Sequence, residues 1–336
     1  MNKIKPSHLR GNWLVADVKK SSQWLFELDR LDQEELLNAL DIALKTKKNI
    51  YELEKKHFPL RFLSKKINLI ETEITNKFGF VLVRNFPLDN LSIAHQKVLF
   101  WGFCQYLGFP EKQDLKGSLM HTITDTGKNL EDDDNTRGFE TNRELQFHTD
   151  GADLFALLCS QPSKKGGMSK LVSSVAIFQE IMNTQPSLAR VLQENFYFDT
   201  RGQLSNGEKF QKVPIFVQHD NGLISGLHKR KYIETAQRFS GVPKLTSEQI
   251  NALNMVDRLC ADSKFCFKIR MLQGDIQIAH NATTFHSRER YVDYYNKNKK
   301  RLMFRLWISM SKGRPLPRAF KNTREWQNTF KRREAQ

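Results

Sequence analysis

Two short segments 138 residues apart constrain this chain more than any other feature: Phe147-His148-Thr149-Asp150-Gly151 and Asn281-Ala282-Thr283-Thr284-Phe285-His286. In an extended strand, residues i and i+2 point to the same side. His148 and Asp150 can therefore reach one ion together while Thr149 faces away. Two imidazoles and one carboxylate occupy one face of an octahedral metal. Three positions stay open, an arrangement suited to a non-haem Fe(II) site that takes a co-substrate and dioxygen. For His286 to join the other two, the fold must bring a distant strand against the first, and two facing sheets do this. Gly151 removes a side chain beside the metal and lets the chain turn.

A second constraint follows close behind. Fifteen residues past His286 stands Arg301, and four further on Arg305, in Lys300-Arg301-Leu302-Met303-Phe304-Arg305-Leu306-Trp307. On a strand the two share a face, and a guanidinium fork matches a carboxylate bidentately. Arg301 taken alone also reads as the last member of the basic run Lys297, Lys299, Lys300, Arg301. Arg305 is harder to explain in that way. It lies among apolar residues, where a buried cation needs an anionic partner, and a bound dicarboxylate would supply one.

The rest of the pattern points to a mainly β chain with flanking helices. Asp32 to Leu40 opens an amphipathic helix with acids in its first turn. Leu60 to Asn76 and Ser92 to Leu107 read as two more helices, the latter stopped by Gly108. Residues 79–83 read as a buried strand. Short strand candidates then recur at 145–150, 154–159, 170–173, 195–200, 213–218, 265–271, 275–280 and 303–310, punctuated by Gly166-Gly167 and Asn221-Gly222. Helices near 176–183 and 246–261 interrupt the series. Strands at this spacing suggest a double-stranded β-helix, or jelly roll, with helices packed outside. The expected division is an N-terminal helical flank over 1–78, a jelly-roll domain with helical and loop insertions over 79–320, and a basic C-terminal tail over 321–336. The polar stretch from Asp125 to Arg143, with Glu131-Asp132-Asp133-Asp134, reads as a solvated loop, with a lid over the metal as the alternative.

Composition limits the setting. Hydrophobic residues make up 39% of the 336, including 24 Phe, enough to fill a sizeable core and to set aside disorder. No apolar run reaches the length of a membrane span, and the N-terminus has no apolar signal-peptide core. Cys104, Cys159, Cys260 and Cys266 form no CxxC pair and read as buried thiols of a reducing cytoplasm. The net charge of +16 gathers toward the C-terminus, at Lys312, Arg314, Arg318, Lys321, Arg324, Lys331, Arg332 and Arg333. A nucleic-acid surface is one reading of this excess. With few aromatics and no nucleic-acid motif beside it, a solvated basic face that steers anionic co-substrates is preferred.

Four motifs in order carry a resemblance. They are Leu145-Gln146-Phe147-His148-Thr149-Asp150, Pro162-Ser163-Lys164-Lys165-Gly166-Gly167-Met168-Ser169, Gly274-Asp275-Ile276-Gln277 leading to His286-Ser287-Arg288, and Arg301 through Trp307. From about Phe80 to Phe320 the chain resembles the taurine dioxygenase-like, clavaminate synthase-like Fe(II)- and 2-oxoglutarate-dependent oxygenases. The resemblance implies that His148, Asp150 and His286 are the iron ligands. It implies that Arg301 binds the distal carboxylate of 2-oxoglutarate, with Ser169 in the place of the family's usual Thr holding the same group. Arg305 would lie beside the metal against a carboxylate of co-substrate or substrate. His280 stands where an Asn is common, and is expected behind the metal rather than on it.

The implied reaction couples oxidative decarboxylation of 2-oxoglutarate by dioxygen to attack on a C–H bond of a small molecule such as an amino acid, a small acid or a derivative. Related halogenases lack the carboxylate ligand, so Asp150 favours hydroxylation, desaturation or ring closure. Three other readings remain open at this stage: the same chemistry on a nucleic acid or other polyanion, a non-catalytic jelly-roll binding protein, and a zinc hydrolase, although HExxH is absent. The oligomeric state is not legible.

Overall fold

Leu302–Ser309 is buried along almost its whole length, and the alternation of its side chains sets the layers. Phe304, Leu306 and Ile308 face outward into a core shared with the helices Arg30–Lys45, Leu63–Asn76 and Ile93–Cys104. Met303 and Trp307 face the other way, into a cluster with Phe80, Leu82, Phe155, Cys159, Leu171 and Ile269. The last two of these belong to a second sheet, so the cluster is the filling between two sheets. This is the period-2 burial of a sandwich whose outer face is covered by helices. The structure is a computed structural model that describes residues 10–127, 138–204 and 206–335.

The larger sheet runs Leu25–Glu27, Phe80–Arg84, Ile276–His280, Leu154–Gln161, Leu302–Ser309, Phe109–Glu111, with Met120–Ile123 also pairing on Leu302–Ser309. It is mixed, because Leu25–Glu27 lies parallel to Phe80–Arg84 and the other pairs are antiparallel. The smaller sheet runs Phe267–Ile269, Ser169–Ser173, Thr284–Arg288, Leu145–His148. Behind it Val172, Phe178, Phe216 and Phe285 pack with the helices Ser174–Thr184 and Ser247–Ala261. The fold is mainly β with flanking helices, a jelly roll, as the strand spacing suggests.

Local signals account for several element ends. Arg30–Lys45 starts at Asp29, whose carboxylate accepts the Asp32 N–H at 3.0 Å while the Asp32 carboxylate accepts the Asp29 N–H at 3.0 Å. Thr246 and Gln249 make the same reciprocal cap for Ser247–Ala261. Elsewhere tertiary contacts move the boundaries. The helix expected from Leu60 begins at Leu63, because the Glu35 carboxylate accepts the N–H groups of Arg61, Phe62 and Leu63 and fixes the first turn. The strand expected over 213–218 is two strands, Phe210–Pro214 and Phe216–Gln218, each in its own antiparallel pair. The short strands Leu25–Glu27, Phe109–Glu111 and Met120–Ile123 were not expected; three or four residues carry too little alternation to register.

The acid run at 131–134, read as a loop or lid, lies outside the described residues. Residues after 320 pack back on the core: Thr323, Glu325, Trp326 and Thr329 are buried, and Trp326 stacks on Phe320. All four cysteines are buried and unpaired. Among the described residues no helix is long and apolar enough to cross a membrane.

Candidate metal and co-substrate centre

His148 ends the strand Leu145–His148, and His286 sits directly opposite it on Thr284–Arg288. Register alone therefore brings two imidazoles together, with ring centroids 4.2 Å apart. Asp150 follows His148 by two residues and enters the same space, its Oδ2 3.5 Å from His286 Nε2. One ligand atom from each of the three lies within 4.8 Å of the others, a donor set of two nitrogens and one oxygen around a single point. The His148 Nδ1–H donates to the Gln146 carbonyl at 2.8 Å, which leaves the Nε2 lone pair for a metal. The ring of His286 packs against Phe155 at 4.1 Å. Burial, with the neighbouring His286, depresses the His148 pKa to about 3, so the imidazole is neutral and able to ligate. Burial works to raise the Asp150 pKa, but Arg305 and the two histidines outweigh it and hold the carboxylate well below its usual range.

The turn after Asp150 is held from a distance. Asn281 accepts the Asp150 N–H at 3.2 Å and donates to the carbonyls of Gly151 and Ala152 at 2.8 and 3.1 Å. Ala152 sits at φ 60°, a left-handed conformation that costs roughly 1 kcal/mol for a residue with a Cβ, and its N–H is taken by the Glu325 carbonyl at 2.7 Å. Gly151 is needed for a different reason. A Cβ there would lie 2.5 Å from the ring of Trp307. His280 is fully buried and outside the triad, its Nδ1 accepting the Ala282 N–H at 3.2 Å. The residue that stitches the metal turn is its neighbour Asn281.

Arg305 lies against a protein carboxylate. Its Nη1 donates to both oxygens of Asp150, at 3.1 and 3.0 Å. Sequence reasoning expected a co-substrate or substrate carboxylate in that position. Gln113 fixes the guanidinium further, accepting from Nε at 2.9 Å and donating back to the Arg305 carbonyl at 2.8 Å. His121 Nδ1 is 3.5 Å from Nη2, and its Nε2 lies 2.9 Å from Asp114. A chain Asp114–His121–Arg305–Asp150 thus orients the candidate carboxylate ligand. Gln113 and His121 were missed in the sequence because nothing local marks them.

Arg301 precedes the same strand and is 3% exposed. Its guanidinium lies 5.0 Å from the centre of the Tyr291 ring, and Arg288 approaches that ring at 4.7 Å. Arg288 Nη2 donates to the carbonyls of Thr141 and Arg143. Arg301 Nη1, Arg288 Nε and Nη1, and the Tyr291 hydroxyl are buried without a hydrogen-bond partner. Burial and the neighbouring Arg301 push the Arg288 pKa down to about 10, and burial lowers that of Arg301 as well. Among the described residues no carboxylate forms an ion pair with either guanidinium; Asp293 acts on both only through its field. Buried cations with orphaned donors are costly, and a carboxylate placed there would satisfy them. Gly167 lies next to this group at φ 71°, and a Cβ there would crowd Ser163 Oγ at 2.9 Å and Tyr291 Cβ at 3.2 Å. Ser169 is buried opposite Arg288 in the sheet register. The donor set thus fits Fe(II) at the triad and a dicarboxylate reaching toward Arg301. Arg288 was visible only as part of His286-Ser287-Arg288, and Tyr291 was not singled out.

Known proteins share this sequence pattern and this fold. The family described as "Taurine catabolism dioxygenase TauD, TfdA family" matches residues 61–307. FR-33289 synthase of Streptomyces rubellomurinus is 28% identical over 329 residues, covering 96% of this chain and 95% of that protein. The taurine hydroxylase-like protein SAT17 of Stachybotrys chartarum is 26% identical over 287 residues, covering 83% and 73%. Among solved structures, an asparagine oxygenase in complex with Fe(II), 2S,3S-3-hydroxyasparagine and succinate superposes with a TM-score of 0.67 at 16% identity, covering 85% of this chain and 93% of that one. The non-heme iron oxygenase OrfP in complex with Fe and alpha-ketoglutaric acid gives 0.59 at 12%, covering 85% and 94%. The chain belongs to the TauD/TfdA family and is an Fe(II)- and 2-oxoglutarate-dependent oxygenase.

Proposed function

We propose that the enzyme hydroxylates a C–H bond of an amino acid or a closely related small acid. Fe(II) is held by His148, Asp150 and His286, and the distal carboxylate of 2-oxoglutarate by Arg301 with Ser169 beside it. One observation carries the reading: His286 of the two-histidine, one-carboxylate cluster shares a strand face with Arg288, whose buried, unsatisfied donors gather with those of Arg301 around Tyr291. The asparagine and hydroxy-arginine named for two structural relatives motivate amino acids as the first substrate class.

Bound at this site, ferrous iron supplies the oxidation, in which substrate, 2-oxoglutarate and dioxygen give hydroxylated substrate, succinate and carbon dioxide. The protein's own part is positioning. The Gln146 carbonyl sets the His148 tautomer. Arg305 holds both Asp150 oxygens, so the carboxylate presents a fixed face. Arg301 binds the co-substrate at its distal end. Phe155 packs on the His286 ring, and with Met303 it belongs to the apolar filling between the two sheets.

The C-terminal cations support a small-molecule substrate over a polyanion, since many are engaged internally. Arg332 pairs with Glu111 and Arg333 with Asp153, while Arg314 donates to the carbonyls of Arg10 and Ile224. The buried unpaired cysteines support a reducing, cytoplasmic setting.

The test is an anaerobic titration of Fe(II) and 2-oxoglutarate, read by their visible charge-transfer band, followed by succinate release against a panel of amino acids and small acids. A band together with substrate-stimulated succinate supports the reading. No band, or no stimulation by any member of the panel, rejects it.

A further inference from the structure

The segment beyond the matched span 61–307 returns to the metal turn at Glu325. The Glu325 carbonyl accepts the Ala152 N–H at 2.7 Å. Its carboxylate takes Lys229 Nζ on one oxygen and the Gln211 amide, at 2.8 Å, on the other. Lys229 in turn forms an isolated antiparallel bridge with His148. Beside that bridge the Thr149 N–H donates to the His228 carbonyl at 2.9 Å, and the Thr149 hydroxyl accepts the His228 N–H at 3.0 Å. Glu325 therefore reaches the chain on both sides of the His148–Asp150 pair, through its side chain on one side and its carbonyl on the other.

The Lys229–Glu325 ion pair is buried. Burial works to raise the Glu325 pKa, but Lys229, Arg324 and the Gln211 amide outweigh it and hold the carboxyl below the usual carboxylate range. A pair this deep often adds little net stability, because desolvating both charges offsets their attraction. Its contacts meet at a strained turn. Ala152 sits at φ 60°, a conformation that persists in a residue with a Cβ only where its surroundings over-determine it. One residue further on, Arg333 donates to the Asp153 carboxylate at 2.7 Å and holds the far end of the same turn.

We propose that Glu325, anchored by Lys229 and Gln211, is a positioning residue of the metal centre: it holds Ala152 in the left-handed conformation that keeps Asp150 beside His148 and His286. This rests on the three ligands assigned under the proposed function. It adds that the triad is kept in its binding geometry by a segment beyond the family's shared span.

The consequence is read in metal affinity, because a turn free to leave its binding geometry raises the apparent Kd by the inverse of the fraction still competent. The probe is Co(II), titrated anaerobically into the full chain and followed by its visible d–d absorption, with the Tm of the metal-free protein measured alongside. Glu325→Gln and Lys229→Met each leave one buried charge unpaired, and should lower Tm and weaken Co(II) binding roughly tenfold. The double variant Lys229→Met/Glu325→Gln removes both charges. Its Tm should recover most of the loss while Co(II) binding stays weakened. Adding Ala152→Gly to the double variant should restore part of the affinity, because glycine accepts φ 60° without the strain that the brace opposes.

Metal affinity that recovers together with Tm in the double variant would make the pair structural only and overturn the proposal. So would single variants that bind Co(II) as wild type does, a double variant that fails to fold, or an added Ala152→Gly that restores nothing. Should either single variant not fold, the double variant carries the test. Wild type that binds no Co(II), or binds it equally well after His148→Ala, refutes the ligand assignment beneath the proposal instead.

Discussion

Replacing Arg301 tests the co-substrate site most directly. Its side chain is buried, one Nη has no partner, and the other lies 2.8 Å from the Met303 sulfur. The guanidinium otherwise packs on the Tyr291 ring. Arg301→Lys keeps the charge and loses the fork, so 2-oxoglutarate should bind more weakly by about 1–3 kcal/mol. Arg301→Ala removes the cation and should cost about 2–5 kcal/mol. Arg288, packed on the same Tyr291 ring, would keep part of the field, which places the loss toward the lower end, roughly 30-fold to a few hundred-fold in Kd. Iron should still bind, because Arg301 is not among the clustered ligands.

A second readout follows from the charge balance. Removing Arg301 relieves its repulsion of Arg288, so the protein without co-substrate should melt at or near the wild-type temperature, minus the packing loss. The rise in Tm that 2-oxoglutarate gives wild type should shrink in proportion to the lost affinity. The assay is an anaerobic titration of the charge-transfer band, paired with melting curves with and without 2-oxoglutarate. Unchanged affinity in Arg301→Ala would refute the assignment and move attention to Arg288 and Arg305.

The remaining expectations concern the metal and its support. His148→Ala and Asp150→Ala should abolish the charge-transfer band, and His286→Ala should damage it far more than His280→Ala; the reverse order would show that the wrong histidine was chosen as distal ligand. Gly151→Ala should drive a Cβ into Trp307 and destabilise the fold by about 1–3 kcal/mol, with weaker iron binding; a wild-type Tm would show that the turn yields without cost. His280 is buried with its pKa depressed to about 3 by burial and by Arg314 and Arg333. The unfolded chain therefore takes up a proton near pH 6.5 that the folded chain refuses, and stability falls as pH drops from there toward 3. At pH 5 the loss is about 2 kcal/mol. His280→Gln should flatten that part of the Tm–pH curve, and an equally steep curve would place the acid sensitivity elsewhere.

The local elements of this site are legible in the chain. His148 and Asp150 share a strand face by spacing, Arg305 sits conspicuously charged in an apolar strand, and capping pairs such as Thr246 with Gln249 mark helix starts. Each of these is a relation between residues a few positions apart, which backbone geometry converts directly into a shared face or a satisfied end. Other features depended on register and on the return of distant segments. His286 faces His148 because two strands pair in one alignment out of many. Asn281 braces the metal turn, and Gln113 and His121 hold Arg305, across separations that leave no periodic trace.

Arg305 shows the same limit: a buried guanidinium demands an anion, and only the packed structure brings Asp150 to it. The C-terminal residues make the point most clearly. In the sequence Arg324 and Glu325 belong to a run of charge that reads as a solvated tail. Folded back, Glu325 is buried against Lys229 and Arg324 stands beside Trp307, because burying Trp326 on Phe320 carries their backbone to the site.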